Sequence, residues 1–133
     1  MTTKAEYERE MAKRQRQYDE ALLDCNKAVE FDPGRADVIA LRGRVHEARG
    51  ASDLADADFS RAIDLDPAGA ASYLIARGDL RLKNERPDKA IEDFDRALAL
   101  DPENVYALSR RGSAHWARGD LDAALADYTR AVE

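Results

Sequence analysis

A repeat of 34 to 35 residues is the feature that most limits what this chain can fold into. Pro33, Pro67 and Pro102 are 34 and 35 residues apart, and each closes a similar phrase: AVEFDP, AIDLDP or ALALDP. Residues at the same repeat position form a column, and two alanine columns keep the period: Ala21, Ala55, Ala90 and Ala124, then Ala28, Ala62, Ala97 and Ala131. Such a period is typical of stacked supersecondary units, in which each unit contacts only its neighbours.

Each unit is predicted to contain two helices. Stretches with helical patterning, at about 36–49, 70–84 and 104–118, are followed by a turn (ARGASD, KNERPD or ARGDLD) and a second amphipathic helix. Asp53, Asp88 and Asp120 suit the positive ends of the second helices, and Pro87 suits a first turn. We predict a divergent long helix or partial repeat over 1–33, repeats over 34–67 and 68–102, and a repeat over 103–133 that stops before its closing proline.

Three glycines recur inside the predicted first helices, at Gly43, Gly78 and Gly112. Glycine inside a helix costs about 1 kcal/mol relative to alanine, so its repetition needs a packing reason. We predict that another helix comes too close there for a Cβ, with the alanine columns as the facing surface.

The columns together resemble the tetratricopeptide repeat family. They are Gly43, Gly50, Ala55, Phe59, Ala62 and Pro67; Gly78, Ala90, Phe94, Ala97 and Pro102; and Gly112, Gly119, Ala124, Tyr128 and Ala131. The resemblance covers about residues 18–133, and it departs before that, where Arg9 and Arg16 occupy the glycine columns. It implies an all-α, right-handed superhelical solenoid of helix-turn-helix repeats, with a concave groove that binds peptides or partner proteins.

The resemblance also implies which residues form the groove, since the first helices line it. The candidates are Arg44, Ile75, Asp79, Leu82, Tyr106, Arg110 and Trp116. Tyr106 and Trp116 are candidate anchors, although Trp116 has an equally good interpretation as a packing residue. Arg44 or Arg110 would orient an acidic or polar group.

Some family members grip the terminal carboxylates of chaperone tails with a Lys, Asn and Arg clamp. That function is not expected here, because most of the clamp columns carry other residues: Glu6, Glu10, Leu41, Ser72 and Ala76.

Charged residues also recur with the repeat period. An arginine precedes each column glycine (Arg42, Arg77 and Arg111), and an aspartate recurs as Asp24, Asp58, Asp93 and Asp127. One prediction pairs each aspartate with the arginine of the following unit, which leaves Asp127 without a partner. The alternative is a set of separate solvated charges.

Composition and motifs narrow the function. With 21 Lys+Arg against 27 Asp+Glu and a net charge of -6, a broad nucleic-acid-binding face is not expected. No apolar run suggests a membrane span or secretory signal, so we expect a cytoplasmic protein without membrane partners. His46 and His115 stand two units apart and Cys25 replaces a column aromatic. We interpret all three as structural, and expect no metal, no cofactor and no enzyme activity.

The two ends of the chain predict self-association. Tyr7, Met11 and Tyr18 begin one apolar stripe that predicts a single helix from about Ala5 to Phe31. The last helix, from about 121 to 132, carries more apolar surface than one neighbouring helix can bury. We predict a homodimer or an end-to-end stack through Tyr7, Met11, Leu121, Leu125 and Tyr128, with Asp127 available to the neighbouring chain.

The sequence therefore predicts a non-catalytic scaffold that binds a peptide or partner protein of unknown identity in a concave groove. Two alternatives stay open: a regulatory segment of a larger enzyme or signalling protein, and a self-assembly module.

Overall fold

Seven α-helices and no strands make up the computed structural model, which describes residues 1–133. The helices are α1 (Lys4–Phe31), α2 (Ala36–Ala48), α3 (Ser52–Leu65), α4 (Ala71–Lys83), α5 (Pro87–Leu100), α6 (Val105–Arg118) and α7 (Leu121–Val132). The pairs α2–α3, α4–α5 and α6–α7 form hairpins, and each hairpin packs on the next. The predicted first helices are confirmed to within a residue or two. None of the seven helices is both long and apolar enough to cross a membrane.

Each hairpin turns at a residue with left-handed backbone geometry. Gly50 and Gly119 have φ of 80° and 82°, a region in which glycine carries no steric penalty. The α4–α5 turn uses Glu85 instead, at φ 61°. Pro87 is the first residue of α5, as predicted. A proline disfavours helical backbone angles at the residue before it, here Arg86.

Helix α1 is continuous over 28 residues, which confirms the predicted single helix. Its start is fixed by a capping box, in which Thr3 Oγ1 accepts from the Glu6 amide and the Glu6 carboxylate accepts from the Thr3 amide. Arg16 stands one period before Gly50, inside the run MAKRQRQYDE. This run contains no Gly, Asn or Pro, so nothing in it favours the left-handed turn of the other units.

The column glycines lie against aromatic rings. A Cβ at Gly43 would come within 2.9 Å of the Phe59 ring, and one at Gly78 within 2.7 Å of the Phe94 ring. Gly112 meets Tyr128 in the same way. The prediction that alanines form the surface facing the glycines is therefore wrong. The alanines are buried beside the rings, and each ring needs the space that glycine leaves.

The Arg–Asp ladder is real, but the register that we predicted is wrong. Arg77 donates to both oxygens of Asp93, at 3.0 and 2.6 Å, and both residues belong to one hairpin. Arg42–Asp58 and Arg111–Asp127 repeat this two-pronged pairing at 2.7 to 2.8 Å. The partners are 16 residues apart because they face each other across the hairpin. Asp127 is thus paired within its own chain, and Asp24 is the aspartate of the column that lacks an arginine.

Each ladder arginine also reaches the preceding unit. Its remaining nitrogen donates to a polar side chain one helix back: Asn26 at 3.2 Å, Ser60 at 2.9 Å and Asp95 at 2.8 Å. The ladder therefore ties neighbouring units together through the arginine, and it fixes the register of the stack.

Candidate functional site

A cavity of about 620 Å3 lies along the first helices of the hairpins, α2, α4 and α6. Its lining is mostly polar: Arg44, Glu47, Ser72, Ile75, Ala76, Asp79, Lys83, Asn104, Tyr106 and Arg110. These residues come from three successive units, so the stacking of the hairpins creates the cavity. We call this cavity the groove.

The structure brings together five of the seven predicted groove residues, namely Arg44, Ile75, Asp79, Tyr106 and Arg110. The other two lie elsewhere. Leu82 is half-buried and packs against the core. Trp116 is 63% exposed and lies outside the cavity, ten residues beyond Tyr106 along α6.

Asp79 organises the α6 side of the groove. Its Oδ2 accepts from the Tyr106 hydroxyl at 2.9 Å and its Oδ1 accepts from Arg110 Nε at 2.6 Å. The Arg110 guanidinium also lies 6.0 Å from the centre of the Tyr106 ring. The hydrogen bond to Asp79 raises the pKa of Tyr106 and that of Arg110 above their usual values. The sequence analysis missed this network, although the spacing of Tyr106 and Arg110, four residues apart on one helix, was a usable signal.

The charges in the groove are unequally matched. Lys83 pairs with Glu47 at 2.9 Å, and Arg110 pairs with Asp79. Arg44 is exposed and has no carboxylate of the chain within ion-pair distance. The groove therefore carries one uncompensated positive charge, although the chain as a whole has a net charge of -6.

The two histidines lie beside the ladder and away from the groove. His46 Nε2 is 3.7 Å from Asp58, and His115 Nε2 is 3.8 Å from Asp127. Burial lowers the pKa of His46. In the middle unit Arg81 takes this column position and pairs with both Asp56 and Asp93. Arg81 forms a second ion pair with its ladder aspartate, whereas the two histidines lie beyond hydrogen-bond distance of theirs.

The last helix leaves an apolar face uncovered. Leu125 is 65% exposed and Val132 is 86% exposed, whereas Ile91 and Leu98, in the same two columns of α5, are 9% and 8% exposed. Helix α6 covers Ile91 and Leu98, and no helix packs on α7 from that side. Leu121 is also exposed and Tyr128 is half-buried.

A model of the tetratricopeptide repeat family matches residues 75–133, which contain α5, α6 and α7 in full. Over these residues the repeats match tetratricopeptide repeats (TPRs). The match spans the columns from Gly78 to Ala131, and the same columns extend the TPR pattern back through Gly43. No curated protein sequence matches the chain significantly.

Solved structures confirm the TPR solenoid fold. A crystal structure of MamA superposes with a TM-score of 0.80 at 23% identity, over 86% of this chain and 62% of the MamA chain. The first TPR of Spaghetti (RPAP3), bound to the HSP90 peptide SRMEEVD, superposes with a TM-score of 0.70 at 28% identity. That match covers 73% of this chain and 76% of the Spaghetti chain. The present chain thus spans less than two thirds of the MamA chain.

Proposed function

We propose that this TPR chain is a non-catalytic cytoplasmic scaffold whose groove binds a peptide segment of a partner protein. The observation that carries the proposal is Arg44, an unpaired cation in a cavity of about 620 Å3. A cavity of this size suits a few side chains of a bound segment. The TPR of Spaghetti, solved with a bound HSP90 peptide, gives a precedent within the fold.

The groove offers a cation at each side. Arg44 would take an acidic group of the ligand directly, because no internal carboxylate competes for it. Arg110 gives its Nε to Asp79, which leaves its two terminal nitrogens to meet the ligand. We therefore propose a ligand segment with at least one carboxylate.

Tyr106 and Trp116 are the proposed aromatic anchors. Both are more than half exposed, and both lie on α6. Aromatic anchors of an interface commonly cost at least about 2 kcal/mol when they are truncated. We expect alanine at Tyr106 to weaken binding by this amount. Trp116 would do the same only if the ligand extends beyond the cavity.

Selection from a random peptide library tests the proposal, followed by calorimetric titration of the enriched peptides. We expect enrichment of peptides with an acidic residue, and at least a tenfold loss of affinity for Arg44→Glu. Arg96→Glu is the matched control, because Arg96 is exposed on a second helix and forms no ion pair. A groove variant that binds as tightly as Arg96→Glu would refute the proposal, as would a library that yields no binder.

Self-association through the ends is a second candidate function. The uncovered face of α7 favours it, with Leu121, Leu125 and Tyr128 on one side and the exposed Tyr7 and Met11 of a second copy on the other. Sedimentation velocity tests this candidate. Leu125→Glu should convert the assembly to a monomer, and a protein that is monomeric at all concentrations would exclude it.

A further inference from the structure

The N-terminal half of α1 extends beyond the body of the protein. Every residue from 1 to 17 is exposed, and α1 packs only against α2. At 1.5 Å per residue, residues 4–17 extend about 20 Å. An amphipathic helix without tertiary contacts has little stability of its own in water, so a partner that packs on residues 4–17 would stabilise them.

The C-terminal half of α1 has a matching open face. It supplies the second helix of a unit whose first helix is missing from the body. Ala21 and Ala28 are therefore only half-buried, whereas their column neighbours in the complete hairpins are 0% exposed: Ala55, Ala62, Ala90 and Ala97. Asp24 lacks an arginine, because Glu8 stands one period before Arg42.

The apolar stripe of α1 is symmetric about Arg16. Tyr7 and Cys25 lie nine residues to either side, Met11 and Ala21 five, and Arg14 and Tyr18 two. At 100° per residue these six positions fall within an arc of about 80° on the helix surface. A helix with this pattern can face an antiparallel copy of itself along its whole length, with each side chain opposite its symmetric partner.

The repeat register places the centre of symmetry at the same residue. In each complete hairpin the paired Arg and Asp are symmetric about the turn residue: Gly50 between 42 and 58, Glu85 between 77 and 93, and Gly119 between 111 and 127. One period before Gly50 stands Arg16. The stripe and the repeat thus define the same axis.

We infer that two copies of this chain pair through α1, antiparallel and centred on Arg16, so that residues 4–17 of each copy supply the missing first helix of the other. The inference shares self-association with the second candidate above but differs in the contact, because Tyr7 and Met11 meet α1 of the second copy and not α7. Met11 of one copy covers the half-buried Ala21 of the second, Tyr7 lies next to Cys25, which is already buried in the protomer, and Arg14 lies over the Tyr18 ring. Each body packs on its own α1 beyond residue 17, so the two bodies lie at opposite ends of the pair.

Sedimentation velocity of the full chain and three variants tests the pairing. Met11→Glu places a charge within the stripe, and it should lower the dimer affinity at least tenfold. Ala12→Glu is the matched control. It adds the same charge one residue away, about 140° around the helix from the stripe, and it should leave the dimer intact. Both residues are exposed in the protomer, so neither change threatens its fold.

Leu125→Glu separates this inference from docking on α7. It should leave an α1-paired dimer intact, whereas a contact through α7 would dissociate. A dimer that Leu125→Glu dissolves would keep the proposed self-association and overturn the α1 pairing. A native chain that is monomeric at every concentration would overturn both. Equal effects of Met11→Glu and Ala12→Glu would also contradict the pairing.

The register has its own test by disulfide formation. In a Cys25→Ser background, Met11→Cys combined with Ala21→Cys should form a cross-linked dimer under mild oxidation. The two positions are about 15 Å apart within one helix, so they cannot bond in the same chain. Ala12→Cys with Ala21→Cys should cross-link much more slowly, and equal rates for the two pairs would contradict the register.

Discussion

At the residue scale, the absence of a Cβ at three positions sets how closely the two helices of each hairpin pack together. Phe59 and Phe94 are completely buried against Gly43 and Gly78. Each ring takes the space of the missing methyl group, so the glycines contribute through tight packing despite their poor helix propensity.

Gly78→Ala should therefore destabilise the protein. The new Cβ would meet the Phe94 ring at 2.7 Å, and overpacking of this kind costs about 1–3 kcal/mol, against about 1 kcal/mol gained in helix propensity. Urea denaturation should show a net loss of up to about 2 kcal/mol. Gly34→Ala is the control, since its Cβ would meet nothing closer than 3.5 Å. Equal stability of the two variants would contradict the packing argument.

Asp93 is the most deeply buried carboxylate of the ladder, at 1% exposure. Two arginines, Arg77 and Arg81, donate to it. Asp93→Ala leaves Arg77 without a carboxylate partner and Arg81 with Asp56 alone, and breaking a buried ion pair costs about 3–5 kcal/mol. Asp37→Ala, which removes the exposed partner of Arg35, should change stability far less, because solvent screens an exposed ion pair. Denaturation midpoints of the two variants decide whether burial sets the difference.

His46 should make stability depend on pH. Burial lowers the pKa of this imidazole in the folded state, Arg42 and Arg49 lower it further, and Asp58 partly opposes them. In the unfolded chain the pKa of this histidine is about 6.5, so the unfolded state binds the proton more readily than the folded state. Stability is therefore full above this pH and falls as the pH drops through the range below it. His46→Phe should flatten the dependence of the urea midpoint between pH 7.5 and 5.5, and an unchanged slope would contradict this assignment.

At the element scale, side chains in the same repeat column contribute differently to the free energy of unfolding inside the stack and at its end. Leu98 in α5 is 8% exposed and Val132 in α7, in the same column, is 86% exposed. Leu98→Ala should cost about 2–5 kcal/mol, the range for a buried leucine. Val132→Ala should stay within about 0.5 kcal/mol in the monomer. A comparable loss at both sites would mean that α7 is covered in solution.

The sequence was sufficient to predict the helices, because periodicity and turn residues act locally. The repeat columns placed α2 to α7 within a residue or two, and the absence of Gly, Asn and Pro around Arg16 kept α1 straight. The ladder register was not accessible in the same way. Each ladder arginine lies near an aspartate of its own hairpin and near a polar side chain of the preceding unit. Only the packed structure shows that it binds both side chains.

At the scale of the whole molecule, stacking turns three polar helix faces into one groove. Five predicted residues converge there, from α2, α4 and α6. The family resemblance assigned them to the first helices, and a solenoid repeats its inner face with each unit. It could not show that Asp79 binds Tyr106 and Arg110, since that choice depends on distances between neighbouring units. The repeat columns also could not show that Arg44 has no ion-pair partner.

The most direct test of groove binding is an NMR titration of the 15N-labelled protein with a library-selected acidic peptide. The account predicts that the largest chemical-shift changes cluster on α2, α4 and α6, around Arg44, Ile75, Asp79, Tyr106 and Arg110, and that they shrink for Arg44→Glu. Changes that cluster on α3, α5 and α7, or on the exposed end of α7, would contradict it.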